Sequence, residues 1–272
     1  MGVPTGYYLA NYILNGLIAG TISGYTKLKA ETADTYSAGV AIKPRFAPGL
    51  SLTVDWYQIT VHDAIASQSA TQILSLCAQR GGIFCDLVTR DASTGAITNL
   101  LQGVQNLAEI KTSGVDSTLR YEFSNDLGRF AAVLDTSYLE SFKTTSPNPA
   151  GGAAIVDERA GKGDQPRATY PHWKGQASFS WTGGPSNALS RGRYIGSTPE
   201  VANAVKDAKT KAIFYNDLEG GYQFDKRDAS ISIGVSNIFD KAPPASYANA
   251  PINYDIYTYD ARGRFGYVRV SA

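Results

Sequence analysis

The 272-residue sequence predicts an all-β protein, an antiparallel up-and-down sheet whose two faces meet different media. Three observations predict it. Strict apolar and polar alternation recurs along the chain, the period of a strand with one apolar face. The connections between these stretches alternate between short and long. The palette is that of strands and turns, with Tyr 17, Phe 10, Trp 3, Gly 27 and Pro 12 against a single Met.

Residues 1–32 read as a loop or partial strand, and the barrel-type strands occupy 33–272. The first strand spans 33–42. The second, LSLTVDW, sets Leu50, Leu52, Val54 and Trp56 against Asp55. The third, SGVDSTLRYEF, gives the clearest division: Val115, Leu119, Tyr121 and Phe123 share one face, and Asp116, Thr118, Arg120 and Glu122 share the other. A fourth strand runs from Arg129 to Leu139. The fifth, GQASFSW, separates Ala177, Phe179 and Trp181 from Gln176 and Ser178. The sixth and seventh span 188–195 and 213–224. The eighth, ASISIGV, separates Ile231, Ile233 and Val235 from Ser232, and the ninth runs from Arg264 to the end.

The links KPRFAPG, SNDLG, TGGPSN and DKRD are tight turns. The others are long, roughly 50 residues after Val61, 34 after Leu139, 17 after Ile195 and 25 after Ile238, far above the usual hairpin loop. Because short and long links alternate, an up-and-down sheet carries every long loop at one end. Outer-membrane barrels have this asymmetry, with short periplasmic turns and long external loops.

Charge follows the same division. The middle of each strand has no Asp, Glu, Lys or Arg in its apolar phase, whereas the other phase holds Asp55, Asp116, Arg120, Glu122, Asp135, Arg191, Arg193, Asp217, Glu219 and Arg269. A Lys or Arg facing lipid at mid-depth costs about 2 to 4 kcal/mol, so such a face excludes them. Periodicity alone leaves open which face points outward, since a soluble lipocalin-like barrel would turn its apolar face inward. The sorted loops, and the aromatic strand ends Trp56, Phe123, Tyr138, Trp181, Tyr194 and Phe224, suited to the headgroup level, favour apolar outside.

Several functions are excluded or disfavoured. With 25 basic and 24 acidic side chains the net charge is +1, which provides no field for nucleic acid. Uninterrupted apolar stretches are too short for a transmembrane helix: the closest, from Tyr7 to Ile22, contains Asn11 and Asn15 and has no preceding Lys or Arg to form a signal peptide. Cys77 and Cys85 lack the further ligands of a metal site, because His62 and His172 are remote in sequence and read as interfacial or turn residues. The pair reads as a local disulfide rather than two free thiols, in an oxidising compartment. Closing so short a loop contributes on the order of 2 kcal/mol and stiffens SATQILSLCAQ, which reads as a short helix, either in a ligand-facing loop or as part of a purely structural clasp. Asp157 and Glu158 adjoin in a Gly-rich segment that reads as a solvated loop rather than an acid/base pair, and GKG at 161–163 lacks the rest of a phosphate loop. The chain reads as a non-enzyme without a resident metal or cofactor.

The C-terminal segments VSNIFDKAPP and NYDIYTYDARGRFGYVRVSA resemble the closing strands of TonB-dependent outer-membrane receptors. Asn237, Phe239, Asp240, Lys241, Pro243 and Pro244 match the first family motif, and Tyr259, Asp260, Gly263 and Arg264 the second. LKAETADTYSAGVAIKP resembles the family's strand opening, with Ala30 where Pro is usual, and LSLTVDWYQITVHDAI, the paired cysteines before RDASTGAITNL, and TSGVDSTLRYEF follow in order. The last strand stops at VRVSA, where relatives usually continue to a terminal aromatic.

The resemblance implies a transmembrane barrel of about 22 strands with an N-terminal plug and a segment that engages TonB. The nine strands here are then a C-terminal barrel portion without the plug, in the outer membrane of a Gram-negative bacterium, surrounded by lipid. Such a receptor captures a scarce solute, such as a ferric siderophore, and admits it to the periplasm, with Asp116, Arg120, Glu122, Asp217 and Glu219 as candidates lining its path. A secreted soluble β-rich module that binds carbohydrate or another ligand is the alternative.

Overall fold

A computed structural model of the chain describes residues 20–22, 28–67, 70–78, 84–102, 104–148, 152–164, 168–200, 208–224, 229–246 and 253–271. The main sheet contains nine successive strands: β1 (Thr32–Ile42), β2 (Leu50–Ser67), β3 (Val104–Asn125), β4 (Gly128–Ser146), β5 (Trp173–Gly183), β6 (Ser186–Ile195), β7 (Ile213–Phe224), β8 (Ala229–Ser236) and β9 (Phe265–Ser271). Each neighbours the next in chain order, and the pairs from β4 to β9 are antiparallel. Among the described residues β1 and β9 end this order without pairing with each other.

The register carries the two-phase pattern across the sheet. Phe130, Trp181, Ala188, Gly220, Ile233 and Val268 stand in one row from β4 to β9. On the opposite phase, Ser180, Leu189, Glu219, Gly234 and Tyr267 form the neighbouring row. A slip of one residue in any pair would place charged side chains among the aromatic ones, so the division of phases specifies the register. The expected DKRD turn at 225–228 lies outside the described residues; among those described the hairpin turns are compact: Gly49 adopts φ 86°, and a Cβ there would sit 1.9 Å from the carbonyl oxygen of Glu122. Only glycine fits that approach.

The chain divides into two compact units. The larger comprises 35–58, 112–142 and 159–272 and contains the two-phase rows. Its apolar side chains do not converge on a core: Ile233 is 60% exposed, Val268 63% and Val270 70%. The buried apolar cluster in this unit is small, Ile213, Tyr215 and Tyr259 with Ile195 against it, and Ile213 and Tyr215 lie on the polar phase. A soluble sheet would bury its apolar face; this one leaves it bare.

The smaller unit comprises 1–34, 59–111 and 143–158. Its core joins Ile73 and Leu74 of helix α1 (Ala70–Ala78) to Leu87, Ile97 and Leu100. Gly20–Ile22 pairs in parallel with Ile97–Gln102, which pairs antiparallel with Val88–Arg90. A disulfide joins Cys77 and Cys85, with Cα atoms 4.8 Å apart. The turn after Val88–Arg90 is organised by Asp91, whose Oδ1 accepts hydrogen bonds from the hydroxyl of Ser93 at 2.6 Å and the backbone N–H of Thr94 at 2.8 Å. Those donors hold the Asp91 carboxyl well below the usual carboxylate range.

Within the expected long loops the structure differs from expectation. β2, β3 and β4 are 18, 22 and 19 residues long, so much of the expected loop after Val61 is strand. Alternation marks a strand only where its faces meet different media; beyond that zone adjacent apolar residues such as Ala64 and Ile65 of β2 fall on both phases and the period fades. His62 accordingly lies inside β2 rather than after a strand, with Nε2 3.2 Å from Asp34 and Nδ1 3.4 Å from Glu109. Asp157 and Glu158 are in the strand Ile155–Glu158, paired with Lys143–Ser146 of β4, rather than in an open loop. An extended strand edge leaves backbone groups unpaired, and a four-residue segment satisfies them without a sequence pattern long enough to read.

The side of the sheet that faces hydrocarbon is testable. Leu218→Arg, in the apolar phase of β7, is expected to cost about 2 to 4 kcal/mol in a bilayer. Ser178→Arg, in the polar phase of β5, should change stability by about 1 kcal/mol or less. Urea unfolding of the full protein from phospholipid vesicles, followed by Trp fluorescence, separates the two, and a larger loss at Ser178 would reverse the faces.

Candidate functional site

The polar phase of the sheet is where the sequence places candidate binding residues, and the register decides which of them meet. On β3, Arg120 and Glu122 are two positions apart and pair with each other as an exposed ion pair. Asp116 lies further along the same strand, in a groove of about 440 Å³ with Asp135, Lys174 and Gln176. The Thr118 hydroxyl donates to Asp135 at 2.7 Å. These side chains form a hydrogen-bonding strip without a single focus.

Asp217 and Glu219 belong to a second group. Arg193 approaches Asp217 at 3.4 Å, and the backbone N–H of Asn237 donates to the same carboxylate at 2.8 Å. The Tyr267 hydroxyl donates to Glu219 at 2.6 Å, and Arg269 lies 3.8 Å from it. Tyr267 reaches Glu219 by lying across Gly234, the residue paired with both. A Cβ at Gly234 would meet the Tyr267 ring at 2.3 Å, so the glycine makes room for this contact.

The five candidates thus share a face but not a site. β3 and β7 are separated by three strands, about 19 Å of sheet at the usual spacing. The structure adds Arg193, Tyr215, Asn237 and Tyr267 to the second group. Arg193 is legible in the sequence as a polar-phase residue, but its partner is set by the pairing of β6 with β7 across a long connection. Alternation carries no information on that pairing.

The residues after β8 close against this group through the family motif. The side chain of Asn237, 4% exposed, accepts from the backbone N–H of Lys241 and donates to its carbonyl, both at 2.9 Å. Asp240 accepts from the backbone N–H of Arg264 at 2.8 Å. Asn237 and Asp240 take φ of 50° and 52°, the left-handed conformation that Asn and Asp tolerate best after Gly. Pro243 and Pro244 are half-buried, whereas Phe239 is 65% exposed. Gly263 adopts φ 70° beside Asp240. These residues form a clamp between the end of β8 and the start of β9.

Within the same connection Asp255 is buried, accepting from the backbone N–H of Thr169 at 2.7 Å and of Tyr257 at 2.8 Å. Burial raises its carboxyl pKa, but hydrogen bonds from Thr258, Thr169 and the Tyr257 backbone outweigh it and hold the group below its ordinary value. Burial beside Asp255 pushes the Tyr259 hydroxyl far up, so it stays protonated. Neither group offers acid/base chemistry near neutrality. His172 holds a position rather than a ligand: Nδ1 is 2.6 Å from the Leu139 carbonyl and its ring stacks on Tyr138 at 5.5 Å. Among the described residues no cluster of His, Cys, Asp and Glu could hold a metal ion.

Asn237→Gly removes two side-chain hydrogen bonds and should cost about 2 kcal/mol; Asn237→Ala should cost about 1 kcal/mol more, because alanine resists a left-handed backbone. Equal midpoints in urea unfolding would refute the backbone contribution. For Asp255, a folded pKa below the unfolded value near 3.9 means stability that is present above that value and lost as pH falls through the folded one. Protection of the Thr169 and Tyr257 amides, measured against their intrinsic exchange rates, should therefore fall below about pH 3.9, and Asp255→Asn should abolish that acid dependence.

A family model described as "TonB dependent receptor-like, beta-barrel" matches residues 1–238. No curated protein matches the chain. Among solved structures, the FrpB iron transporter from Neisseria meningitidis (F3-3 variant) has 16% identity and a TM-score of 0.56, covering 93% of this chain and 33% of that one. A ferric enterobactin receptor mutant from Pseudomonas aeruginosa, PfeA, has 14% identity and a TM-score of 0.59, covering 94% and 34%. The outer membrane transporter YddB from Escherichia coli has 11% identity and a TM-score of 0.61, covering 93% and 34%. At these identities the likeness is one of fold, and the chain spans about a third of the length of each of these structures. Because the family match extends over most of the sequence and these folds share its run of antiparallel strands, the chain belongs to the TonB-dependent receptors, a family of transporters and receptors rather than enzymes.

Proposed function

We propose that this chain is the C-terminal barrel portion of a TonB-dependent receptor that takes up a scarce solute, of the ferric siderophore type, across the outer membrane of a Gram-negative bacterium. The observation that carries this reading is the sheet's two-phase division, apolar rows bare on one side and an ion-paired polar surface on the other. Lipid hydrocarbon accounts for the first face and a water-filled bore for the second. The family match and the iron-transporting neighbours support the solute class.

In this reading the polar side chains line the route past a plug that lies N-terminal to the chain. Asp116, Arg120, Glu122, Asp217 and Glu219 keep the wall hydrated and register it against that plug. The energy comes from the inner membrane through TonB, which engages the N-terminal part. The disulfide-stapled 70–102 segment belongs to the external loops that meet the solute first. A soluble carbohydrate-binding module fits less well, because its apolar rows would form a core.

Uptake tests the proposal. Cells carrying the complete receptor should accumulate ⁵⁵Fe from a panel of ferric siderophores that includes enterobactin. Accumulation should fall to background when TonB is deleted or a protonophore is added. Uptake that persists without TonB, or recovery of the protein in the soluble fraction without detergent, would sink the reading.

A further inference from the structure

Beside the clamp, the polar face contains a cavity of about 260 Å³ lined by Arg191, Arg193, Tyr215, Asp217, Asp260 and Arg262, among others. Its two carboxylates already have donors. Asp217 is held by Arg193 and the Asn237 N–H, and Asp260 accepts from the backbone N–H of Arg262 at 2.9 Å. The cationic side is less satisfied. Among the described residues neither Arg191 nor Arg262 has a carboxylate within ion-pair distance.

Arg262 stacks on the Phe265 ring, 5.6 Å from its centroid, and Arg193 on Tyr215 at 5.2 Å. Stacking engages the flat face of a guanidinium and leaves its in-plane N–H groups for other partners. Tyr215 is 2% exposed, and its hydroxyl has no hydrogen-bond partner among the described residues. Three guanidinium groups against two carboxylates leave one net positive charge around a recess the size of a small solute group. Their mutual repulsion is relieved by an anion, and guanidinium forks match carboxylate and phosphate oxygens.

We propose that this cavity binds a compact anionic group of the transported solute, a carboxylate or a phosphate, with Arg191 and Arg262 as its principal donors and Arg193 held in place by Asp217. The inference rests on the transport reading for the identity of the ligand as cargo. A lipid headgroup is not its source, since the cavity opens on the polar phase, opposite the apolar rows.

Isothermal titration of the complete receptor in detergent micelles, at low chloride and without any energy source, tests the site, with inorganic phosphate and succinate as probes. At least one probe should bind with one-site stoichiometry. Arg191→Gln should weaken it about tenfold or more, with Arg191→Lys intermediate, since lysine keeps the charge and loses the fork. Asp260→Asn should tighten it several-fold, and Glu122→Gln, three strands away, should leave it unchanged. Heat-modifiability on gels reports folding of each variant; if Arg191→Gln does not fold, Arg262→Gln, outside the strands, decides in its place. Absence of binding by both probes overturns the proposal, as when a carboxylate from elsewhere in the receptor already fills the cavity, and so does binding indifferent to Arg191 and Arg262. If siderophore accumulation remains TonB-dependent while both probes fail, the site falls and the transport reading stands. Probe binding without uptake gives the converse.

Discussion

One constraint organises the larger unit: each strand of its sheet divides its side chains into an apolar phase and a polar one. An ionised side chain in hydrocarbon and a bare row of Phe, Ile and Val in water are both unfavourable, so the alternation of the strand becomes a partition between media. The register of the sheet follows, because a slip of one position would invert every side chain of the strand. The absence of a conventional core among the described residues of the larger unit follows as well. Its apolar rows do not converge among the described residues, and Val268 and Val270 remain open where a soluble sheet would bury them.

Where that partition ends, the structure changes character. β2, β3 and β4 continue well past the two-phase zone, and the smaller unit has an ordinary small core around Ile73, Leu74 and Leu100 with a disulfide at its edge. This part of the chain obeys the rules of a water-soluble domain: buried aliphatics, a side-chain-capped turn at Asp91, and His62 between Asp34 and Glu109. Its strand portions lack a clean alternation, because apolar residues such as Ala64 and Ile65 fall on both phases. The helix was legible from SATQILSLCAQ, since its apolar residues recur at helical spacing beside the two cysteines.

The polar face shows how charged side chains are satisfied along and across strands. Arg120 and Glu122 satisfy each other along one strand, whereas Glu219 is satisfied by Tyr267 from two strands away, across a glycine. The connection after β8 adds a hydrogen-bonded clamp through Asn237 and Asp240, which brings Asp260 and Arg262 to the same side as Arg191 and Arg193. The motif residues owe their identity to backbone geometry: left-handed conformations at Asn237 and Asp240 and a close approach at Gly263. Their contribution is to fix where the charged side chains stand.

From the sequence alone, the number and order of the strands, the phase of each side chain and the sorting of its connections could be determined, because these are local consequences of period and turn chemistry. Which charges meet was decided by the tertiary structure. Asp217 meets Arg193, and Glu219 meets Tyr267, through pairings closed across connections of many residues, and no periodicity encodes the register between strands so far apart. The cavity beside Arg191 depends on the same pairings, together with a returning segment that the alternation could only describe as a long loop.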